Sequence, residues 1–481
     1  MAGIAKLLSQ IAVVFPLALA PVVLSALIRG EPGALRLVAA FTILAFVCGA
    51  AGIIVRNQQA VLSRRDELAL VVLAWLIFPI LGALPIIALR PGTPLDALFD
   101  AVSALTASGV VFGAPIETWP QSLVLWVGIL QWIGAGLVIL FAIVILGPQG
   151  IGGLPARPIR ALDHGGVDDG ARFRASLAEF GPIYGGLTLI CLVAILICGI
   201  PAFDALIIAL GTVSTGGLLP RGGVFSAYEN PAAEWVIALT MIVTCTSPVW
   251  LKLAMSGRIR QAFGHFEAII LGGVLGALAL LYAGAGLVAG GSDLLQSLRY
   301  GVFSAAALVS TTGTPIAVDS IALIPAAVVA LVVFVGGAAM SAAGGITIYR
   351  AGAMATEAGR ELSTAIYPNI VHRPTIAGAP AGPRAMKAIA AAVMLHLLIF
   401  SVLMLIIAPH AGSFEAAYLA GIGALSNVGQ IHDAGFPGAS AWPSFATWPA
   451  HAKFALVLGM IVGRIESIAA CALILGLLRR E

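Results

Sequence analysis

Charge is scarce in this chain. Of its 481 residues only 10% are Asp, Glu, Lys or Arg, against about 25% in an ordinary globular mix. Hydrophobic residues make up 60%, and the mean hydropathy is +1.05. Water is therefore not the solvent for most of its surface. The net charge of +3 is slight and the basic residues are scattered, so nothing forms the basic stripe that a nucleic-acid partner needs. Cysteine is also sparse. Cys48, Cys191, Cys198, Cys245 and Cys471 mostly sit in apolar runs, with no CxxC pair and no histidine cluster beside them. That pattern excludes a zinc site and a dithiol centre and reads as small buried hydrophobes. A GxxxxGK phosphate loop is missing too, which excludes ATP hydrolysis by that route. Gly284, Gly286 and Gly290 lie in an apolar run rather than after a strand, so they read as helix packing.

Long apolar runs are what the chain has in abundance. Stretches of about 20 residues, enough to cross a hydrocarbon core of roughly 30 Å, recur near 8–28, 35–55, 68–89, 122–146, 179–199, 233–254, 266–289, 321–348, 386–408 and 453–478. The first follows Lys6 as a secretory signal would, but it runs past Pro16 and Pro21 to Ile28. It outlasts a signal core of about 7–15 residues and reads as a span. With the N-terminus inside, lysine and arginine crowd the inner segments, and only Arg29, Arg36, Arg90, Arg221, Arg299 and Lys453 stay outside. The bias is about threefold, which places both termini in the cytoplasm.

Four further apolar segments are too short to cross, and each lies between two spans. They open on an acid after a turn-forming residue: Thr93-Pro-Leu-Asp96, Pro201-Ala-Phe-Asp204, Gly291-Ser-Asp293 and Ser413-Phe-Glu415. An acid in a first helical turn suits the positive end of the helix dipole. They end on Ser/Thr-rich turns closed by glycine: Thr106, Ala107, Ser108, Gly109; Val213, Ser214, Thr215, Gly216; Ser310, Thr311, Thr312, Gly313; and Ser426, Asn427, Val428, Gly429. The recurrence is a fourfold internal repeat. The expected fold is an all-α polytopic membrane protein, with two N-terminal transmembrane helices (1–66) and four span, re-entrant loop, span repeats (67–150, 151–258, 259–372 and 373–481).

Irregular backbone at membrane depth is tolerated only where it is buried in protein or lines water, so four related breaks should converge on one axis. Four short helices entering from outside aim their negative C-terminal ends at the membrane centre and favour a cation there. The turns can direct carbonyl oxygens inward in place of an ion's hydration shell. None of them holds a carboxylate, the usual device for a divalent ion, which favours a monovalent one.

At this point the residues resemble a family. Asp96 to Phe112 followed by Leu130-Gln-Trp-Ile-Gly-Ala-Gly136, then Val213 to Gly217, Ser310 to Gly313 and Asn427-Val-Gly429, are similar to the four pore loops of the Trk/Ktr/HKT superfamily of potassium transporters. Phe334-Val-Gly-Gly337 with Ala343-Gly-Gly-Ile346, and Gly463-Arg-Ile-Glu466, resemble two further signatures, and the two extra N-terminal spans resemble the Trk branch. The resemblance implies potassium uptake through a pseudo-fourfold pore in the plasma (cell inner) membrane. It implies a filter around Gly109, Gly216, Gly313 and Gly429, a gating loop with Gly336, Gly337, Gly344 and Gly345, and a cationic Arg464 below the filter. It further implies a homodimer, K+ as substrate ion without a bound cofactor, no enzymatic activity, and a cytoplasmic RCK/KTN-type nucleotide-binding partner. The inner loops near 147–178 and 350–385 are too short to hold such a regulator, so it would be a separate protein. Relatives with serine at the first filter position tend toward sodium, and this chain keeps Gly109. It departs from the Trk branch at Thr106-Ala-Ser108, where three threonines are usual, and at Thr347, where many relatives have lysine.

The gating segment has its own sequence logic: glycine pairs flank Ala-Ala-Met-Ser-Ala-Ala, and each glycine weakens a helix by about 1 kcal/mol relative to alanine. Two hinges around a short apolar plug result. Arg464 and Glu466 are two residues apart and need separate partners. Arg464 reads as pore-facing, with a helix-joining salt bridge as the alternative, and Glu466 as structural. His396 reads as a packed core histidine, Gln131 and Trp132 as packing near a pore helix, and Asp100 either as a cation attractor or as the partner of a neighbouring donor. Competing functions are the ion-binding subunit of an ATP-driven pump like the Kdp complex, a sodium-permeable or ion-coupled symporter of the same superfamily, and an intramembrane hydrolase. The last would have to join Ser214 or Ser310 with His410, His432 or His451.

Overall fold

The computed structural model describes residues 2–465 apart from 59–60, 91, 111–115, 151–152, 154–168, 222, 264, 290–292, 368–374, 377–378, 381–382, 434–435 and 437–441. Phe112, Gly290, Gly291, Glu466 and Cys471 lie outside the described residues. Helices dominate, because in lipid each backbone N–H and C=O must be satisfied within its own segment.

The chain opens with α1 (Ala2–Ala12) and α2 (Val14–Ile28), which together form one span, and α3 (Ala34–Val55) returns. The first repeat is α4 (Arg64–Leu89), the short α5 (Pro94–Leu105) and α6 (Gln121–Phe141), prolonged by a π turn at Ala142–Leu146. The second is α7 (Asp169–Ile197), the short α8 (Ala202–Val213), α9 (Pro231–Thr244) and α10 (Pro248–Met255). After α11 (Ile259–Phe263), the third comprises α12 (Phe266–Ala289), the short α13 (Leu294–Val309), α14 (Ala326–Val335) and α15 (Ile348–Ile366). A two-residue ribbon, β1 (Thr375–Ile376) with β2 (Ala379–Pro380), precedes the fourth: α16 (Pro383–Ile407), the short α17 (Phe414–Ser426) and α18 (Ala450–Ile465).

Seven described helices are long and apolar enough to cross a membrane, and an eighth span results if α9 and α10 count as one. Two of the ten expected spans differ in kind from a straight helix. The run 233–254 bends by 108° between α9 and α10. Pro248 cannot continue the helix, and Ser247 before it turns extended and caps α10 by accepting the Trp250 N–H. The run 321–348 stops at Val335, and twelve residues, 336–347, cross without helix before α15. The last span is described only to Ile465.

Three of the four short helices begin on a side-chain cap, and α8 starts after Pro201 without one. Thr93 and Asp96 form a reciprocal capping box on α5, Asp293 caps α13, and Ser413 caps α17. Large apolar side chains such as Leu35, Phe46, Ile197, Val288 and Leu405 point outward, an exposure that lipid tolerates and water would not. The chain is a multi-pass membrane protein.

Candidate ion pathway

The four short helices end on four turns with one backbone shape. In each, a non-glycine residue takes the left-handed conformation: Ala107 at φ 53°, Thr215 at 60°, Thr311 at 58° and Asn427 at 56°. Each of these residues donates its N–H to the carbonyl three positions back, on Ala104, Thr212, Leu308 and Ala424 respectively. Next, the N–H groups of Ser108, Gly216 and Val428 reach back five positions, to Ser103, Gly211 and Gly423. Four consecutive cases of a conformation that L-residues avoid make the repeat a property of the backbone.

This register sharpens the second turn. Gly217, at φ 66°, is the counterpart of Gly109 at 75°, Gly313 at 68° and Gly429, whereas Gly216 corresponds to Ser108, Thr312 and Val428. Read from sequence alone, the second turn closes on Gly216, one residue short of this register, because Ser-Thr-Gly-Gly offers two adjacent glycines.

The turns touch in a closed ring. A Cβ on Gly109 would lie 2.3 Å from the Gly216 carbonyl oxygen, one on Gly217 2.5 Å from that of Thr312, one on Gly313 2.6 Å from Val428 Cγ1, and one on Gly429 1.7 Å from Val110 Cγ2. First meets second, second third, third fourth, and fourth first; the Gly429 N–H closes the circuit on the Ser108 carbonyl at 2.7 Å. All sixteen turn residues named from the sequence are buried. Side chains brace them: Thr106 Oγ1 lies 2.9 Å from Ser108 Oγ, Ser310 Oγ lies 2.7 Å from Thr312 Oγ1, and Asn427 Nδ2 donates to Ser108 Oγ and the Met460 carbonyl. Gln131 donates to the Gly216 carbonyl at 3.4 Å, so it meets the turn itself rather than merely packing nearby, while Trp132 packs on Tyr184. Gln430, which sequence reasoning passed over, donates to the Gly217 carbonyl at 2.7 Å. Its position directly after Gly429, a polar side chain following a buried turn, was the available signal.

The segment 336–347 lies against this ring. At its neck the two glycine pairs meet: a Cβ on Gly336 would stand 2.0 Å from the Gly344 carbonyl oxygen, and one on Gly344 1.9 Å from that of Ser426. Gly337 faces Ala343 and Cys245, and Gly345 is left-handed at φ 84°. Non-glycine Met340 (φ 61°) and Thr347 (φ 76°) also hold positive φ, a conformation that persists only when the surroundings enforce it. Those surroundings come from several repeats. Ala338 N–H donates to the Cys245 carbonyl, Gly344 N–H to Thr311 Oγ1, and Thr215 Oγ1 to the Ala342 carbonyl.

Arg464 completes the lacing. It is 5% exposed, and its guanidinium donates to the Thr106 carbonyl from Nε at 2.5 Å and to the Ala342 carbonyl from Nη1 at 2.6 Å. It thus joins the first turn to the loop through backbone, and no salt bridge to it occurs among the described residues. A cavity of about 50 Å³ abuts the loop, lined by Phe141, Leu146, Met340, Ser341 and Arg464 among others; it has room for one or two waters.

Charges around the short helices are arranged differently. Asp100 pairs with Arg90 at 2.7 Å, Asp204 with Arg221 at 2.5 Å, Glu234 with Arg299 at 2.6 Å and Asp96 with Lys453 at 3.1 Å. Asp100 is therefore the partner of a neighbouring donor. Burial opposes ionisation of Asp96, yet the Thr93 hydroxyl and the Lys453 ammonium outweigh it and hold the carboxyl below its usual range. His396 packs edge-on against Phe334. His410 and His451 bond each other, His432 sits among Trp442, Phe445 and Trp448, and Ser214 and Ser310 bond within their own turns. The hydrolase arrangement is not assembled.

No protein-family model matches the chain. It is similar to the Trk system potassium uptake protein TrkH of Salmonella typhimurium, with 28% identity over 445 residues and 89% of each chain covered. It is also similar to TrkH of Escherichia coli K12, at 27% over 452 residues and the same coverage. The Trk system potassium uptake protein TrkI of Halomonas elongata is 28% identical over 356 residues, 73% of this chain and 71% of that one. Among solved structures, the potassium transporter TrkH from Vibrio parahaemolyticus superposes with a TM-score of 0.85 over 98% of both chains at 23% identity, which establishes the fold.

Proposed function

We infer that this chain, whose homologues over most of its length are Trk-system potassium uptake proteins, carries potassium across the plasma membrane. The closed ring of four left-handed turns carries the reading. Four helix C-termini and a circle of backbone carbonyls, with no carboxylate in the turns, suit a monovalent cation stripped of water. In this reading Thr106, Ala107, Ser108, Gly109 and their counterparts in the other three repeats form the selectivity filter, with Gly217 added in the second. The substrate ion is K+, no cofactor takes part, and no bond is made or broken.

The segment with Gly336, Gly337, Gly344 and Gly345 is the gate, and Arg464 pins it to the first turn. Its bonds to the turns and its strained backbone support this. The gate runs directly into α15, whose far half exposes Leu362 and Ile366. A cytoplasmic RCK/KTN-type nucleotide-binding partner pulling there would withdraw it. Two copies form a homodimer with all termini in the cytoplasm. The test is ion flux into liposomes holding the purified protein, with and without a pH gradient. Potassium and rubidium should enter well ahead of sodium, and equal rates for all three would overturn the potassium filter. Deleting Ala338 to Ala343 should raise basal flux; parental flux in a stable, assembled deletion mutant would remove the gate assignment.

A further inference from the structure

Glu267, the second residue of α12, is 4% exposed and belongs to no ion pair among the described residues. A buried carboxylate is costly unless hydrogen bonds or an opposite charge compensate it. Its place in the first turn of α12 lowers that cost through the helix dipole. The dipole does not explain where the side chain goes. Oε1 accepts the N–H of Ala339 at 2.9 Å, and Ala339 lies in the middle of the non-helical segment, itself 2% exposed.

Three residues later in the same segment, the Ala342 carbonyl accepts from Arg464. A short stretch of backbone is thus gripped at one end by an acid and at the other by a base, each matched to the backbone group it can bind. The acid comes from the third repeat and the base from the fourth. Arg350 adds a longer bond, 3.4 Å, to the Ile346 carbonyl at the segment's far end; the remaining bonds come from backbone or hydroxyl groups, so Glu267 and Arg464 supply the short bonds from ionisable side chains, a class about twice as strong as neutral bonds when charged.

We propose that Glu267 is a positioning residue for the gate: by accepting the Ala339 N–H it latches the segment across the ion path. The proposal rests on the gate reading above. Opening breaks this bond, so its strength sets how rarely the unregulated pore opens. Replacing Glu267 with leucine removes the acceptor at similar volume and strands the Ala339 N–H. Replacing Ala339 with proline removes the donor from the other side and leaves Glu267 in place.

The experiment measures basal potassium flux into liposomes for the parent, Glu267→Leu, Glu267→Gln, Ala339→Pro, the 338–343 deletion, and the deletion combined with Glu267→Leu. Glu267→Leu and Ala339→Pro should each raise flux by roughly tenfold, the factor that losing one hydrogen bond to a charged group carries. Glu267→Gln, which keeps an oxygen for the N–H, should rise by a smaller factor. In the deletion background Glu267→Leu should add nothing, because its partner is gone. A purely structural role for Glu267 would not give that pattern of rescue and masking. If Glu267→Leu does not fold, Ala339→Pro alone decides. Raised flux in the deletion with parental flux in Glu267→Leu or Ala339→Pro overturns the latch and leaves the gate standing. Parental flux in the deletion as well removes both.

Discussion

The short helices and the 336–347 segment use charge in opposite ways. Around the short helices, acids meet bases: Asp96 with Lys453, Asp100 with Arg90, Asp204 with Arg221 and Glu234 with Arg299. Around the segment, Arg464 and Glu267 meet its non-helical backbone. A charge paired with a charge on a neighbouring helix fastens one rigid element to another. A charge bound to a lone carbonyl or N–H can let go without leaving a second charge stranded. The first arrangement suits a scaffold that fixes four turns at one depth; the second suits a part that moves.

Breaking the scaffold of paired charges should have the largest effect. Arg299→Met leaves the buried Glu234 carboxylate uncompensated, with side chains 17% and 3% exposed in the pair. We expect a loss of about 3–5 kcal/mol of stability, read as a lowered thermal midpoint in detergent. Replacing Glu234 with leucine in the same chain should recover most of it. If the double replacement is no more stable than Arg299→Met, the pair is not what holds α9 to α13.

Breaking the grip on the segment should instead change function with the fold intact. Arg464→Ala removes two charge-assisted bonds. At about 1.5 kcal/mol each they amount to a factor on the order of a hundred in the open fraction. Flux should rise accordingly, with an unchanged elution profile. Aggregation in place of leak would make Arg464 a scaffold residue like Arg299.

The ring between the two regions sharpens the contrast through selectivity. Gly109→Ser must place a Cβ where the Gly216 carbonyl lies 2.3 Å away, at a φ of 75° that strains any side chain. That carbonyl has to shift, and the preference for potassium over sodium should fall on the order of tenfold, or about 1.4 kcal/mol. An unaltered permeability ratio would detach Gly109 from ion choice. The smallest effect belongs to Arg221, whose side chain is 60% exposed although Asp204 beside it is only 6% exposed. Arg221→Gln keeps an N–H donor for the buried carboxylate and lets water reach the site of the lost charge, so it should cost about 1 kcal/mol and leave flux unchanged. A loss as large as that of Arg299→Met would mean that an exposed arginine carries the scaffold as fully as a buried one.

Much of the architecture was legible because it depends on local chemistry. Hydrophobic length set the spans, the acids Asp96, Asp204, Asp293 and Glu415 marked the starts of the short helices, and the Ser/Thr-Gly turns marked their ends. The glycine pairs at Gly336 and Gly344 announced an interruption that the structure contains. Even the bend at Ser247-Pro248 was written in a proline with no N–H to give, although hydropathy alone read a continuous span.

Other features depend on which atoms meet across hundreds of residues, and no local signal carries that. Whether Gly216 or Gly217 joins the ring was decided by hydrogen bonds back along α8 and by the distance to Thr312. Asp100 took Arg90 as its partner because the chain between α4 and α5 brings the guanidinium back to it. Sequence reasoning passed over Gln430 and Glu267; only the packed molecule aims one at the Gly217 carbonyl and the other at the Ala339 N–H. The sequence by itself determined a membrane-embedded, fourfold repeated chain with cation-friendly turns, since periodicity, length and turn preference are properties of neighbours. Tertiary structure decided the register of the ring and the partners of its buried charges, because a buried polar group takes whichever partner the fold delivers within about 3 Å.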